Sequence, residues 1–190
     1  MKNVNKTKKL IFDAAIKSFS QKGFHKTTVD EIAESAGVAK GTLYYHFKSK
    51  EEIFKFIIDE GTRIIEEEIL DRTEHLEDPV EKLRTICYVH IELVTKHVEF
   101  FKTILSQMWG NEERQNQLRD VLAGYFKLIE KYLTEAADEK YIKDKNMEII
   151  AFNFFGVMIS TIIYSLMHRE KNVKDLADTF VDFIMGGIGK

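Results

Sequence analysis

Residues 28–42 read Thr28-Val29-Asp30-Glu31-Ile32-Ala33-Glu34-Ser35-Ala36-Gly37-Val38-Ala39-Lys40-Gly41-Thr42, a pattern of two short helices joined by a tight turn. The first four residues form a capping box, in which the hydroxyl of Thr28 accepts a free backbone N–H and the carboxylate of Glu31 reaches back to the cap. Small side chains at Ala33 and Ala36 allow the second helix to cross the first at a short distance. Gly37 can adopt the left-handed conformation that ends a helix. The stretch therefore predicts a helix-turn-helix.

Apolar residues recur at helical spacing through the rest of the chain, and no alternating strand pattern competes with them. Ser49-Lys50-Glu51-Glu52 is a second capping box that opens a long helix. The charged stretch Asp71–Asp78 breaks the chain, and Asp78-Pro79 begins another helix. Asn172 is expected to cap the last helix and Gly186-Gly187 to end it. The pattern predicts an all-α fold of about nine helices. The residues expected to face inward in the first helix are Leu10, Ile11, Ala14, Ala15 and Phe19.

Charge is distributed unevenly along the chain. Residues 1–50 hold ten lysines against four acidic residues, a net charge of +6, whereas the other 140 residues hold 18 basic and 27 acidic groups, a net charge of −9. A basic head on an acidic body indicates that the head meets a polyanion. The alternative from charge alone is a solvated, lysine-rich surface.

Composition restricts the classes of site and compartment. The single cysteine, Cys87, excludes an intramolecular disulfide and a cysteine-rich zinc site, and it fits a reducing cytoplasm. The polar residues 1–9 lack the apolar core of a signal peptide. Residues 149–167 carry no charge over nineteen positions, near the length that crosses a bilayer, but Asn153 and Ser160 favour a buried central helix. We expect a cytoplasmic protein with no membrane partner and no cofactor.

The second helix of the motif carries the residues expected to read DNA, because the N-terminal end of a recognition helix reaches base edges in the major groove. Lys40, Gly41 and Thr42 offer a cation, open space and a small hydroxyl at that end. Phenols and ammonium groups further along suit phosphate oxygens. In the alternative interpretation, one tyrosine packs against the following helix and the histidine is a polar cap residue. The residues predicted to hold the phosphates are Tyr44, Tyr45, His46, Lys48 and Lys50.

The stretches Phe24–Ala33 and Gly37–Glu51 strongly resemble the DNA-binding segment of TetR-family regulators of the AcrR-like and QacR-like type. Within them, the run Gly41–Glu51 is nearly diagnostic of that family. The resemblance covers roughly residues 6–65, about a third of the chain. The remainder agrees only in length and in the number of helices.

The resemblance implies a role for each of these residues. Thr28 would hold a phosphate from the N-terminus of its helix, residues 40–42 would face bases, and the phenols, the histidine and the later lysines would clamp the backbone. It also implies a second domain that binds an effector and dimerises. The implied organisation is a helix-turn-helix DNA-binding domain over 1–50 (with the family domain extending to about 65), a connecting helix over 51–71, and an effector-binding and dimerisation domain over 79–190.

The second half of the chain holds candidates for an effector pocket. An apolar pocket needs an aromatic lining with few polar anchors, and an ordinary core needs aromatic residues equally. Asn153 is expected to be a buried amide that requires a partner. His90 and His97 could orient a ligand, hold a metal or simply face solvent. The predicted effector-binding residues are Phe101, Trp109, Tyr125, Phe126, Asn153 and Phe155.

A second set of residues is predicted to join two copies of the chain. Gly156 and Ser160, four residues apart, form a stripe of small residues that lets two helices approach closely. Together with Phe180, Val181 and Ile184 they predict a two-fold helical bundle.

These observations predict a repressor that binds a palindromic operator as a homodimer and is released by a small hydrophobic effector. A helical enzyme is one alternative, but the sequence lacks a nucleophile with a base, a recurring metal-ligand set and a phosphate loop. A DNA-binding activator or nucleoid-type protein that responds to no ligand is the other.

Overall fold

The computed structural model describes residues 6–107, 112–143, 146–168 and 172–188. The described residues form nine α-helices, which confirms the predicted all-α fold. The helices are α1 (Lys6–Lys22), α2 (Val29–Ala36), α3 (Lys40–His46), α4 (Lys50–Thr73), α5 (Pro79–Lys96), α6 (Val98–Gln107), α7 (Glu112–Asp138), α8 (Met147–Met167) and α9 (Val173–Ile188).

The chain divides into two compact units that are each assembled from separate stretches of sequence. The first unit comprises the residues up to Ile64 together with His97–Val121. The second comprises Ile65–Lys96 and Leu122–Lys190. The helix-turn-helix therefore belongs to a unit that also contains α6, which lies far from it in sequence.

The core of the first unit lies where α1 packs against α2 and α6. The predicted inward face of α1 is confirmed at Ile11, Ala14, Ala15 and Phe19, but the prediction is wrong for Leu10, which is 43% exposed. Phe12 is buried instead. Its ring contacts Phe56 at 6.1 Å and Phe100 at 6.3 Å between centroids. These aromatic contacts rotate the buried face of α1 toward Phe12 and away from Leu10.

Local capping fixes both ends of α2 as the sequence predicts. Thr28 Oγ1 accepts from the amide of Glu31 at 3.2 Å, and the amide of Thr28 donates to Glu31 Oε2 at 2.9 Å. At the other end, Gly37 has a φ of 65°, in the left-handed region. Its amide and that of Val38 donate to carbonyls of the last turn of α2, each at 3.1 Å. The turn between α2 and α3 is thus set by one glycine.

The cap of α4 differs from the predicted box by one residue. Ser49 Oγ accepts from the amide of Glu52 at 3.2 Å, as expected. The carboxylate of Glu52, however, accepts from the amide of Lys48 at 2.7 Å rather than from that of Ser49. Because α3 ends at His46, the amide of Lys48 lies outside any helix and requires an acceptor.

A glycine in α4 permits a very close approach of α6. A Cβ atom placed on Gly61 would lie 2.1 Å from Cζ of Phe100, far inside van der Waals contact. The same ring stacks on Phe12, with an interplanar angle of 30°. Phe100 therefore occupies a slot that exists only because position 61 has no side chain.

The second unit is organised around α5, which packs against α8 and α9. Most of one face of α5 is buried, including Cys87, where burial raises the pKa of the thiol to about 12. Buried hydroxyls of Thr73 and Tyr132 lie 2.6 Å apart, so these two polar atoms satisfy each other within the unit. An ion pair between Arg84 and Asp178 joins α5 to α9.

The expectation of a buried central helix at residues 149–167 is only half correct. By length and composition alone α8 could cross a bilayer, yet one face of it lies in the core of the second unit, with Ala151, Phe154 and Met158 buried. The opposite face is exposed, including Phe152 at 65% and Met167 at 75%. Because both faces of α8 are apolar, periodicity could not separate the core face from the exposed one.

Two predictions for α9 are wrong. Phe180 and Val181, expected at an interface between copies, are buried within the chain, and Phe180 meets Phe154 edge-on at 4.9 Å. The helix also does not end at Gly186-Gly187 but continues to Ile188. Glycine can adopt helical as well as left-handed backbone angles, so a glycine does not by itself end a helix.

Gly61 offers a test of the close approach of Phe100. Gly61→Ala should lower the free energy of unfolding by about 1–3 kcal/mol, the usual range for overpacking, because the new methyl group displaces the ring. The matched control is Gly124→Ala, an exposed helical glycine with open space at its Cβ position. That control should raise stability by about 0.5–1 kcal/mol. Urea unfolding measures both, and equal effects in the two variants would contradict the packing described.

Candidate nucleic-acid interface and effector site

The helix α3 combines a buried anchor with an exposed outer face. Leu43 is completely buried and fixes the helix on the core of the first unit. At the N-terminal end, Lys40, Gly41 and Thr42 are all exposed. No heavy atom lies within 4 Å of a Cβ position built on Gly41, so the backbone there is open to an approaching duplex. This arrangement fits a recognition helix that enters a groove by its N-terminal end.

The aromatic residues further along α3 are also accessible. Tyr44 is 44% exposed and Tyr45 is 78% exposed, which disfavours the alternative in which one of them is buried against α4. His46 is half-buried, and its ring lies 5.2 Å from that of Tyr45. Both phenol rings can therefore reach a ligand outside the chain.

Lys40 is paired within the first unit. Its ammonium lies 2.6 Å from Oδ2 of Asp30, which comes from the first turn of α2. The hydrogen bond and charge of Asp30 raise the pKa of Lys40. Sequence reasoning missed Asp30, because a separation of ten residues does not correspond to a regular contact spacing within a helix. The turn at Gly37 is what brings the two side chains together.

Thr28 is an exposed residue at the N-terminus of α2. The N-terminus of a helix favours anions, and the capping box keeps the hydroxyl of Thr28 in a fixed position. Glu31, which completes the box, is also bound by the ammonium of Lys22 at 2.8 Å. The hydrogen bonds from Lys22 and from the Thr28 backbone lower the pKa of Glu31 to about 2. The carboxylate of Glu31 in the capping box thus stays ionised at any physiological pH.

The two lysines predicted to clamp phosphates are in different environments. Lys48 is exposed, and its ammonium makes one long contact with the carbonyl of Tyr44 at 3.4 Å. Lys50 is half-buried, and its ammonium donates to the carbonyls of His25 at 3.2 Å and Thr27 at 2.9 Å. The structure thus brings Lys50 onto the loop between α1 and α2.

A buried polar pair lies in the second unit. The Tyr125 hydroxyl and His90 Nε2 are 2.6 Å apart, and His90 Nδ1 lies 2.7 Å from the carbonyl of Ile86. Because a carbonyl can only accept, Nδ1 carries the proton, Nε2 accepts, and Tyr125 donates. Burial lowers the pKa of His90 to about 4 and raises the pKa of Tyr125, so both groups are neutral.

Aromatic rings extend this pair toward the surface. Phe155 lies 5.7 Å from Tyr125 and 5.2 Å from Phe126 between ring centroids. Phe126 in turn stacks on Phe152 at 5.2 Å. Three of the predicted effector-binding residues, Tyr125, Phe126 and Phe155, are thus brought together, with His90 at their buried end.

The other predicted effector-binding residues lie elsewhere. Phe101 is half-buried in α6, in the first unit, and Trp109 lies outside the described residues. Asn153 was expected to be buried, but the amide is exposed on the outer face of α8. The reason for the error is that both faces of α8 are apolar. The sequence around Asn153 therefore did not show which face of the helix is buried.

The two histidines considered together in the sequence do not share a site. His90 is buried in α5, whereas His97 is exposed beyond the end of that helix. Among the described residues, no group of three or more histidine, cysteine or carboxylate side chains could hold a metal ion. The signal for a structural His90 was present in the sequence: it stands within the apolar stripe of Ile86, Cys87, Ile91 and Val94.

Two family models match the chain. One describes bacterial regulatory proteins of the tetR family and matches residues 11–57, and the other describes a tetracyclin repressor-like C-terminal domain and matches residues 76–188. The chain belongs to the tetR family. It is therefore a DNA-binding transcription regulator with a ligand-binding C-terminal domain, and not an enzyme.

Within the tetR family, the chain is close to regulators of fatty acid metabolism. It is 28% identical to the fatty acid metabolism regulator protein of Bacillus subtilis (strain 168) over 185 residues, which cover 94% of this chain and 93% of the relative. A Clostridium perfringens structure described as a fatty acid metabolism regulator is 44% identical, with a TM-score of 0.83 and coverage of 95% and 99%. FadR from Bacillus subtilis, solved with stearoyl-CoA, is 26% identical, with a TM-score of 0.84 and coverage of 95% and 98%.

The buried histidine predicts a pH dependence of stability. The pKa of His90 is about 4 in the folded protein and about 6.5 when unfolded, so the unfolded state binds more protons between these values. The free energy of unfolding should be highest above pH 6.5 and should fall as the pH decreases toward 4. The loss of stability over this range is roughly 3 kcal/mol, at about 1.4 kcal/mol for each pH unit of difference.

Urea unfolding between pH 4.5 and 7.5 measures this effect. In His90→Gln, whose amide can still accept from Tyr125, the part of the pH dependence that belongs to His90 should disappear while that of the other groups remains. Parallel curves for the parent and the variant would contradict the assignment.

Proposed function

We propose that this cytoplasmic regulator is a repressor that binds a palindromic operator as a homodimer and is released when a long-chain acyl-CoA binds its second unit. The observation that carries the effector class is the stearoyl-CoA bound by the Bacillus subtilis relative. In this proposal residues 1–50 bind DNA, and residues 51–71 form the helix that connects them to the effector-binding domain. Residues 79–190 bind the effector and the second copy.

The proposed DNA contacts follow from exposure and charge. Lys40, Gly41 and Thr42 face bases from the open end of α3. The exposed phenols, His46, Lys48 and Lys50 meet phosphates beside it, and Thr28 meets one at the N-terminus of α2. The lysine-rich composition of the first fifty residues supports this side of the chain as the one that faces DNA.

The outer face of α8 supports dimerisation. It exposes Ile149, Phe152, Ile163, Tyr164 and Met167, of which the last is 75% exposed. A contiguous apolar face of this kind is unusual on a monomer and marks an interface. Gly156 lies at its centre with open space at its Cβ position, which lets a second helix approach closely.

A two-fold axis through this face would also account for Asn153. In an isologous interface each residue on the axis lies near its own copy. An amide carries both donors and acceptors, so two copies of Asn153 can satisfy each other. The proposed partner of Asn153 is therefore the second subunit and not the effector.

The effector is proposed to place its acyl chain against the aromatic cluster of the second unit. Tyr125, Phe126 and Phe155 supply an apolar wall, and the neutral His90–Tyr125 pair presents no charge to a hydrocarbon.

The central prediction is that stearoyl-CoA releases the protein from DNA. The probe is a duplex selected by the parent chain from a randomised pool. Stearoyl-CoA should weaken binding to it by about 5- to 150-fold, the usual range of allosteric coupling, and the duplex should weaken stearoyl-CoA binding by the same factor. Fluorescence anisotropy of labelled DNA measures the first, and quenching of Trp109, the single tryptophan, measures the second.

Free CoA and stearate are the matched controls, and each alone should leave DNA binding nearly unchanged. Unchanged DNA affinity in saturating stearoyl-CoA would contradict release by this effector and favour a regulator that acts without a ligand.

The dimer is tested at Gly156. Because the Cβ position is open within one chain, Gly156→Leu should leave the protomer folded and disturb only the pairing of two copies. Overpacking of about 1–3 kcal/mol would weaken self-association by roughly 5- to 150-fold. Sedimentation velocity compares the parent, Gly156→Leu and the control Gly124→Leu, whose position is equally open. A parent that sediments as a monomer at micromolar concentration would rule out the homodimer.

A further inference from the structure

Four phenylalanine rings connect α6 with the C-terminal end of α3. Phe100 of α6 stacks on Phe12 of α1 at 6.3 Å between centroids, and Phe12 meets Phe56 of α4 edge-on at 6.1 Å. Phe56 in turn lies 5.1 Å from Phe47, the residue that follows the last residue of α3. Each separation is within the range of favourable aromatic contacts. These four residues, which all belong to the first unit, are called the aromatic row.

Phe47 anchors the end of α3 in the core. It is only 5% exposed, and its amide donates to the carbonyl of Leu43 at 2.9 Å. Leu43 itself is completely buried, so α3 is held by one apolar side chain near its middle and by another at its C-terminal end. Because α3 has only seven residues, it is too short to be stable without such contacts. The direction of α3 therefore depends on where these two side chains are seated.

The other end of the aromatic row is fixed in the slot at Gly61. The ring of Phe100 fills the space in which a Cβ atom of residue 61 would lie, so it has no room to move toward α4. One turn later in α6, Thr103 is almost completely buried, and its hydroxyl donates to the carbonyl of Glu99 at 2.9 Å. The face of α6 that carries Phe100 is thus firmly seated on the first unit.

A lysine covers the aromatic row near α3. The ammonium of Lys8 lies 5.6 Å from the ring centroid of Phe56 and 6.0 Å from that of Phe47, within the reach of a cation–π interaction. Lys8 precedes Phe12 by four residues, so both side chains lie on one face of α1. The helix α1 therefore contacts the aromatic row at two places.

We infer that Phe100 is a positioning residue for DNA binding, which fixes the C-terminal end of α3 through the aromatic row. Closely packed side chains transmit a displacement, because the movement of one ring must be taken up by the next. The direction of α3 thus depends on a residue more than fifty positions further along the sequence. The inference rests on the proposed function, in which α3 is the helix that enters the groove.

A double-variant cycle on the full-length protein tests the path from Phe100 to Phe47. Phe100→Leu and Phe47→Leu each replace a ring with a smaller apolar side chain. Each should weaken binding to the selected duplex by about 2- to 12-fold per half-site, the usual worth of one aromatic contact. If Phe100 acts through Phe47, the double variant should bind about as weakly as Phe47→Leu alone.

Binding is measured by fluorescence anisotropy under conditions in which circular dichroism shows every variant to be folded. A loss of stability alone then leaves the affinity unchanged. Effects that multiply in the double variant would overturn the inference, and so would a parent-like affinity in Phe100→Leu.

Gly61→Ala provides a second route, because it displaces the ring of Phe100 without removing it. It should weaken binding to the same duplex about as much as Phe100→Leu does, whereas the control Gly124→Ala should bind like the parent. In Phe100→Leu the slot is no longer filled by a ring, so adding Gly61→Ala should weaken binding little further. Equal affinities of Gly61→Ala and Gly124→Ala would contradict the inference.

A third measurement uses the free protein and so does not depend on the proposed function. Hydrogen exchange at the amide of Phe47 should become faster in Phe100→Leu by about the same factor as the loss of affinity per half-site. Exchange at the amide of Gly37 should keep its rate, because that amide closes on the last turn of α2. The control Phe154→Leu removes a buried ring from the second unit and should not make Phe47 exchange faster relative to Gly37.

The exchange result separates the two proposals. An unchanged rate at Phe47 in Phe100→Leu would overturn the inference even if the parent bound DNA. A parent that selects no duplex would contradict the proposed function alone, and the exchange rates would still decide whether Phe100 holds the end of α3.

Discussion

The left-handed conformation of Gly37 determines how the DNA-binding surface is assembled. A side chain at this φ of 65° would be strained, and the amides of Gly37 and Val38 close the end of α2 on its own last turn. The chain leaves this turn in a fixed direction, so that Leu43 enters the core and the N-terminal end of α3 faces outward. The pairing of Lys40 with Asp30, ten residues apart, is a direct result of that angle.

The first unit was largely predictable because its determinants are local. The Thr28 box and the Gly37 turn each depend on residues within four or five positions of one another, and such patterns are visible in a single sequence. The errors arose where the partner is distant. Phe12 is buried and Leu10, which was expected to be buried, is exposed, because Phe100, nearly ninety residues later, packs on Phe12. The hydrogen bonds of Lys50 to the carbonyls of His25 and Thr27, more than twenty residues earlier, could likewise not be read from local spacing, and the predicted phosphate contact of Lys50 stays a prediction.

The second unit was less predictable for a physical reason. α8 is apolar on both faces, and sequence alone could not assign one face to the core and the other to the surface, which misplaced Asn153. The aromatic cluster was expected, but its polar end was not, since nothing local links His90 with Tyr125. That pair is satisfied internally, because Nδ1–H of His90 donates to the carbonyl of Ile86 and the hydroxyl of Tyr125 donates to Nε2. The interior of the unit can thus contain polar atoms without containing charge.

The Asp30–Lys40 ion pair also bears on the time the protein needs to find its target. In the proposed function, the carboxylate of Asp30 would compete with phosphates for the ammonium of Lys40. The recognition helix would then be somewhat less adhesive on random sequence than the ten lysines of the first fifty residues suggest. Because an exposed pair of this kind is weak, a guanine edge that accepts from Lys40 would displace Asp30 readily. Each stay on a wrong sequence would be shorter, and the protein could examine more of the genome in a given time.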